Sequence, residues 1–159
     1  MIQRVQTLYL FIAVICLMIA QFGTSFFYLI GEKMYLLNAY GVFENSVSND
    51  LTIVKNVPLF LVPVLLIVLS VVTIFSYKKL KNQLKTLNLV IYIYSAFILI
   101  LLALFFSHYN FPEDNINLKY QFGPAMYFMI VGYPALFLAK KGILKDKKTL
   151  DSLNSNRLR

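Results

Sequence analysis

The chain has 159 residues, of which 59% are hydrophobic and only 14% charged. A soluble domain is typically about 45–50% apolar and about 25% charged, so a water-soluble globular domain and a disordered chain are both excluded. The length suits one compact unit, with no room for a membrane anchor plus a separate catalytic domain. Fifteen Lys and Arg against seven Asp and Glu give a net charge of +8. On a membrane chain this reflects cytoplasmic loops obeying the positive-inside bias rather than nucleic-acid binding.

Four runs free of Lys, Arg, Asp and Glu organise the chain: Val5 to Gly31, Asn56 to Tyr77, Thr86 to Pro112 and Tyr120 to Ala139. About 20 apolar residues at 1.5 Å rise cross the roughly 30 Å hydrocarbon core, so each run predicts a span. The spans are placed near residues 7–26, 57–76, 87–107 and 122–139. The first run has too long an apolar core for a signal peptide and no A-x-A before a cleavage point, so it is read as permanent. Its Cys16, the single cysteine, is read as a small buried apolar residue. One cysteine excludes an intramolecular disulfide, a CxxC redox pair and a thiolate zinc cage. Pro58 and Pro124 fall in first turns, Pro63 is placed to kink the second span, and Pro134 to bend the fourth.

Between the first two spans, residues 27–56 predict an external β-meander. Phe26-Phe27-Tyr28-Leu29-Ile30, Lys33-Met34-Tyr35-Leu36-Leu37, Ala39-Tyr40-Gly41-Val42-Phe43 and Leu51-Thr52-Ile53-Val54 are β-prone. Gly31-Glu32 is a turn signal, and Asn45 to Asp50 is a loop by composition. Asn117-Leu118-Lys119-Tyr120-Gln121-Phe122 is expected to pair with the meander and cover an edge. The expected fold is an all-α integral membrane protein, a four-transmembrane-helix bundle under a small extracytoplasmic antiparallel sheet. This architecture resembles that of claudins, without their tryptophan motif or disulfide, so no tight-junction role is implied.

Counting Lys and Arg sets the orientation. Arg4, Lys78, Lys79, Lys81, Lys85, Lys140, Lys141, Lys145, Lys147, Lys148, Arg157 and Arg159 share one side. Lys33, Lys55 and Lys119 lie on the other, beside Glu32, Glu44, Asp50, Glu113 and Asp114. The richer side is cytoplasmic, and both termini with it.

No ionisable residue interrupts the predicted spans, which argues against an ion-coupled transporter or a charged channel ring. Gln21, Thr24 and Ser25 lie toward the outer end of the first span. Gln21 and Thr24 are candidates for contact with a lipid head group or partner. Ser70, Thr73 and Ser76 recur at three-residue spacing on the second span, the usual glue between membrane helices. His108, beside Ser107 and shortly before Glu113 and Asp114, offers a base for a small membrane enzyme, or a lipid or partner contact at the interface. Lipoprotein signal peptidases share the length and four spans, but Asp50 and Asp114 lack that family's aspartate context. Quinone-coupled disulfide enzymes need cysteine pairs.

Lys78, Lys79, Lys81, Lys140 and Lys141 are placed to hold anionic head groups, each contributing about 1 kcal/mol. Residues 140–159 read as a basic cytoplasmic tail lying on the inner leaflet or docked on a partner. There Arg157 and Arg159, flanking Leu158, suit bidentate pairing with carboxylates.

Met1-Ile2-Gln3-Arg4-Val5-Gln6-Thr7 and Asn156-Arg157-Leu158-Arg159 resemble an uncharacterised family of small four-span proteins from Bacteroidota-type bacteria. The resemblance extends over the chain in length, topology and terminal motifs. Asn156 stands where that family usually has an acidic residue. The resemblance implies the bacterial inner membrane and no activity. No catalytic, cofactor or metal residues are assigned. The expected role is a non-enzymatic accessory subunit of an inner-membrane complex, with anionic lipids and other membrane subunits as partners and no nucleic acid. The alternatives are a lipid-handling protein and an enzyme centred on His108.

Overall fold

A computed structural model describes residues 3–30, 33–45, 51–56, 59–108 and 119–157. Helix α1 (Gln3–Phe22) leads into strands β1 (Thr24–Ile30), β2 (Lys33–Asn38), β3 (Gly41–Asn45) and β4 (Leu51–Asn56). Helix α2 (Leu61–Phe75), a short 3-10 turn (Ser76–Lys78) and helix α3 (Leu80–His108) follow, then strand β5 (Lys119–Phe122) and helix α4 (Pro124–Arg157). Consecutive helices run antiparallel, and the four pack as a closed bundle, α1 on α2, α2 on α3, α3 on α4 and α4 on α1.

The sheet is antiparallel throughout, in the order β4-β3-β2-β1-β5. The expected meander and the pairing of the 117–122 segment with it are both present, with Phe26 opposite Phe122 and Tyr28 opposite Tyr120. The β2–β3 turn is built by Asn38, whose Oδ1 accepts the backbone N–H groups of Tyr40 (2.9 Å) and Gly41 (3.1 Å). Gly41 sits at φ 149°, a conformation that favours glycine. Alternation along β1 turns Phe26 and Tyr28 toward the bundle. There the Phe26 ring meets Phe105 of α3 at 4.8 Å and Phe122 at 5.7 Å, and Tyr28 stacks on Phe105 at 5.7 Å. The turn at Gly31-Glu32 and the loop at 46–50 lie outside the described residues, as does Pro58.

The α1–α4 seam is the tightest part of the core. On α1 the buried stripe is Gln6, Leu10, Ala13, Leu17 and Ala20; on α4 it is Ala125, Met129, Gly132, Leu136, Ala139, Ile143 and Asp146. Both advance in steps of four and three, the repeat of a left-handed coiled-coil seam. Large residues alternate with Ala or Gly, so the backbones approach closely. A Cβ on Gly132 would lie 3.0 Å from both the Cys16 Cβ and the Tyr94 hydroxyl, and one on Gly23 would lie 3.1 Å from the Ala125 Cβ. The seam thus pairs Gly23 with Ala125, Cys16 with Gly132 and Gln6 with Gly142, a single antiparallel register.

Several boundaries differ from the sequence reading. α1 ends at Phe22, not 26, because the chain bends at Gly23 and pairs from Thr24 onward in β1. Thr24 and Ser25 are therefore strand residues. α2 has 15 residues, starting at Leu61 rather than 57, so Pro63 falls in its first turn. No intrahelical bond is lost there, and the expected kink has no cause. α3 starts at Leu80, which puts Lys81 and Lys85 on the helix instead of in a loop. α4 does not stop at 139: it continues through Pro134 to Arg157, 34 residues in all. Residues 140–157 are the second half of that helix and not a separate tail.

Three helices, α1, α3 and α4, contain stretches long and apolar enough to cross a membrane, while α2 is apolar but shorter. At 1.5 Å per residue, α1 is about 30 Å long and α2 about 22 Å. The outward faces are apolar on all four helices: Leu8, Phe11 and Ile15 on α1, Val64 and Val68 on α2, Tyr92 and Leu99 on α3, Ile130 and Val131 on α4. Helices of a water-soluble bundle turn polar residues outward; helices apolar all round belong in lipid or inside a larger protein.

Candidate functional site

Most of the buried polar side chains, Gln6, Ser70, Thr73, Gln83 and Asp146, lie in the half of the bundle away from the sheet, while Gln21 and Ser25 lie at the sheet end. Gln6 of α1 and Asp146 of α4, 140 positions apart, are both buried, and the Gln6 Nε2 donates to the Asp146 carboxylate. Gly142 makes room for this contact, since a Cβ there would lie 2.6 Å from the Gln6 Cγ. Gln6 and Asp146 occupy the seam positions that Ala13, Ala20, Gly132 and Ala139 occupy elsewhere. The seam is therefore small and apolar along its length and closed by one charge-assisted bond. Burying a carboxylate is costly without such a partner.

Across the bundle, the Thr73 Oγ1 lies 2.8 Å from the Leu69 carbonyl and 3.2 Å from the Thr86 Oγ1. The Gln83 Nε2 donates to the Thr73 carbonyl at 3.2 Å. This ties the end of α2 to the start of α3, away from the sheet. The expectation that polar residues of the second span join helices holds for Thr73. Ser76 instead bonds back to the Val72 carbonyl of its own helix (2.8 Å), and the Ser70 hydroxyl is buried with no partner among the described residues.

Replacing Gln6 by Leu should strand the Asp146 carboxylate at a cost of about 1–3 kcal/mol. A double-mutant cycle of Gln6→Leu with Asp146→Leu, read as heat stability in detergent, should give a coupling of about 1–2 kcal/mol. Additive losses would show that the bond does not stabilise the seam.

The sequence-derived residues fall at both ends. Gln21 is only 6% exposed and turns into the bundle, where its Oε1 has no partner among the described residues. Thr24, partly exposed, begins β1. Gln21 thus faces inward while Thr24 lies at the partly exposed start of the sheet. His108 closes α3, and its side chain, like that of Ser107, lies outside the described residues. At the opposite end Lys79, Lys81 and Lys141 are exposed and Lys140 is half-buried. Lys78 belongs to the 3-10 turn and Arg157 ends α4, with both side chains outside the described residues, as is all of Arg159. The fold therefore brings the two lysine groups, 78–81 and 140–141, to one end of the bundle, away from Gln21, Thr24 and His108.

Gln6, Gln83 and Asp146 were not singled out from the sequence. The signal for Asp146 was there: it continues the stripe Gly132, Leu136, Ala139, Ile143 at the next step of three. Among the described residues, no three His, Cys, Asp or Glu side chains gather as metal ligands.

On the sheet, burial pushes the Tyr28 hydroxyl up to about 12. The unfolded chain ionises near pH 10, the folded one only near 12, so stability falls across that window as pH rises. Tyr28→Phe should flatten the fall between pH 10 and 12 relative to wild type. An unchanged slope would show that Tyr28 titrates normally.

With the fold in place, comparison with known proteins decides the family. A family model described as "Domain of unknown function (DUF4293)" matches residues 2–158. The chain belongs to this family. The match spans the bundle, the sheet and all of α4, so the membership applies to the whole fold described above. No curated protein matches the chain.

Proposed function

We propose that this DUF4293 chain is a four-span protein of the bacterial inner membrane and serves there as a non-enzymatic accessory subunit of a larger membrane complex. One observation carries the reading: a belt of apolar side chains surrounds all four helices, between a sheet at one end and lysines at the other, and α4 continues past the lysine end as a bare helix. The belt includes α2, whose Leu61, Val64, Leu65, Val68 and Val72 face outward like their counterparts on the longer helices. A span of about 22 Å is accommodated by local thinning of the bilayer and by the flanking turns. The positive-inside bias places the lysine end in the cytoplasm and the sheet outside. Lys79, Lys81, Lys140 and Lys141 then meet anionic head groups.

What supports a binding rather than a catalytic role is how the interior polar groups are used. Gln6 with Asp146, and Thr73 with Thr86 and Gln83, bind helix to helix. The bare arm and the folded cap are left as the surfaces for partners. Extraction from native membranes in mild detergent, followed by native mass spectrometry, tests the reading. The expected result is an assembly with a second chain in fixed stoichiometry; a monomer alone would contradict it.

A second reading, lipid binding inside the bundle, is favoured by the buried Gln21 amide oxygen near the sheet end. A lipid head-group hydroxyl or amine would satisfy it. A stoichiometric lipid lost on Gln21→Leu would support it, and lipid-free protein in mild detergent would remove it.

A further inference from the structure

The α4 stripe that packs on α1 does not end where α1 ends. Ala139, Ile143 and Asp146 are buried, and the same steps of four and three continue to Leu150 and Leu153. These two leucines are 47% and 57% exposed. The register explains why. Gln6 lies against Gly142 and Asp146, and the described part of α1 starts at Gln3, which that register sets beside Lys145, short of the turns that carry Leu150 and Leu153. The stripe is an interior seam with its second helix missing.

We propose that Leu150 and Leu153 form a docking site for an amphipathic helix of a partner protein, with acidic residues flanking its apolar stripe, which continues α1's place along the α4 seam. The proposal rests on the accessory-subunit reading above and names the surface through which that subunit would hold its partner. Continuity with the α1–α4 seam sets the geometry, a helix lying along α4. Charge sets the chemistry. From 140 onward the α4 helix carries Lys140, Lys141, Lys145, Lys147, Lys148 and Arg157 against Asp146 and Asp151, and Asp146 is already bonded to Gln6. Lys147 directly follows the seam position Asp146, where coiled-coil charges choose the partner. A second copy of the chain would bring two strongly basic arms together, which costs energy. Lipid is too far: along the helix Leu150 and Leu153 lie about 15 and 20 Å beyond Lys140, past the head-group layer that Lys140 marks.

A photoreactive amino acid at position 150, 153 or 148, in the full-length protein in cells, tests the site. Lys148 is exposed on the other side of the helix and serves as the control. Irradiation should give one protein adduct from 150 and 153, at about tenfold or more the yield from 148. Sequencing of the cross-linked peptide should find an apolar stripe at helical spacing bordered by Asp or Glu. With the probe at 150, Leu153→Ser should lower the yield about tenfold, the effect of losing about 1.4 kcal/mol, with heat stability unchanged because Leu153 is exposed. Adducts only to lipid, adducts only to a second copy, equal yields at 148, or a cross-linked segment without acidic flanks would each overturn the site. A complex that survives Leu150→Ser with Leu153→Ser overturns this site while leaving the accessory-subunit reading intact. A wild-type protein that is monomeric in native membranes overturns the reading itself.

Discussion

Gly123→Ala should destabilise the protein by at least about 3 kcal/mol, although it adds one methyl group. A Cβ at this position would lie 2.1 Å from the Thr24 carbonyl oxygen and 2.7 Å from its carbon. Both are backbone atoms, so no rotamer change relieves the overlap. The crowding has a structural origin. β1 shifts register between Thr24 and Phe26, and the Ser25 carbonyl there accepts the Gly123 N–H at 2.8 Å. This bond ties the first strand to the start of α4, and moving Gly123 away to admit a methyl group breaks it. Cys16, the single cysteine, is buried and serves as the reporter: a thiol-reactive dye should label it at a much lower temperature in the variant. Gly23→Ala, whose added Cβ would lie 3.1 Å from the Ala125 Cβ and 3.2 Å from its backbone N, should shift that temperature less, because neither approach is as close as the 2.1 Å at Gly123. Equal shifts would show that the Gly123–Ser25 junction is not the constraint described.

Phe26→Ala should cost about 3–5 kcal/mol. Phe26 is fully buried, and its ring touches Phe105, Phe122 and Tyr28. It joins three parts of the chain: the meander, the end of α3 and the strand before α4. Within lipid, packing helices together gains little from the hydrophobic effect. In the proposed membrane placement the sheet end lies outside the lipid, burial from water contributes there in full, and this cluster does more per residue than the apolar seams below it. Phe26→Leu should lose only about 1–1.5 kcal/mol. Hydrogen exchange should show β1 and β5 opening together in Phe26→Ala, with α1 and α4 still protected. A loss below about 1 kcal/mol would mean that the cap is held by other contacts.

The apolar runs and β-prone segments made the helix number and the sheet legible, down to the strand before α4, because burial patterns are local. Three features were not. The Lys140-Lys141 pair marks where membrane-compatible sequence ends, but leaving a membrane does not end a helix. Residues 143–157 contain no Gly or Pro to break the helix, and the Leu, Lys and Arg among them favour it, so α4 continues. The end of α1 was hidden because Thr24, Ser25 and Phe26 prolong the apolar run; the helix stops because that segment pairs with β2 and β5, partners distant in sequence. The Gln6–Asp146 bond depends on the register between two distant helices, which no local pattern contains. That register is also what exposes Leu150 and Leu153, so the surface most useful to a partner became visible only once α1 and α4 were placed side by side.

The proposed placement is a membrane bundle with the sheet outside and the lysine end in the cytoplasm. Single cysteines introduced in a Cys16→Ala background test it directly, probed with a membrane-impermeant thiol reagent. Tyr40, exposed in the β2–β3 turn, reports the sheet end, and exposed Lys81 and Lys148 report the other. Tyr40→Cys should be labelled in cells whose inner membrane is intact, and Lys81→Cys and Lys148→Cys only after that membrane is opened. Labelling of Lys81→Cys or Lys148→Cys in intact cells, or protection of Tyr40→Cys, would contradict it.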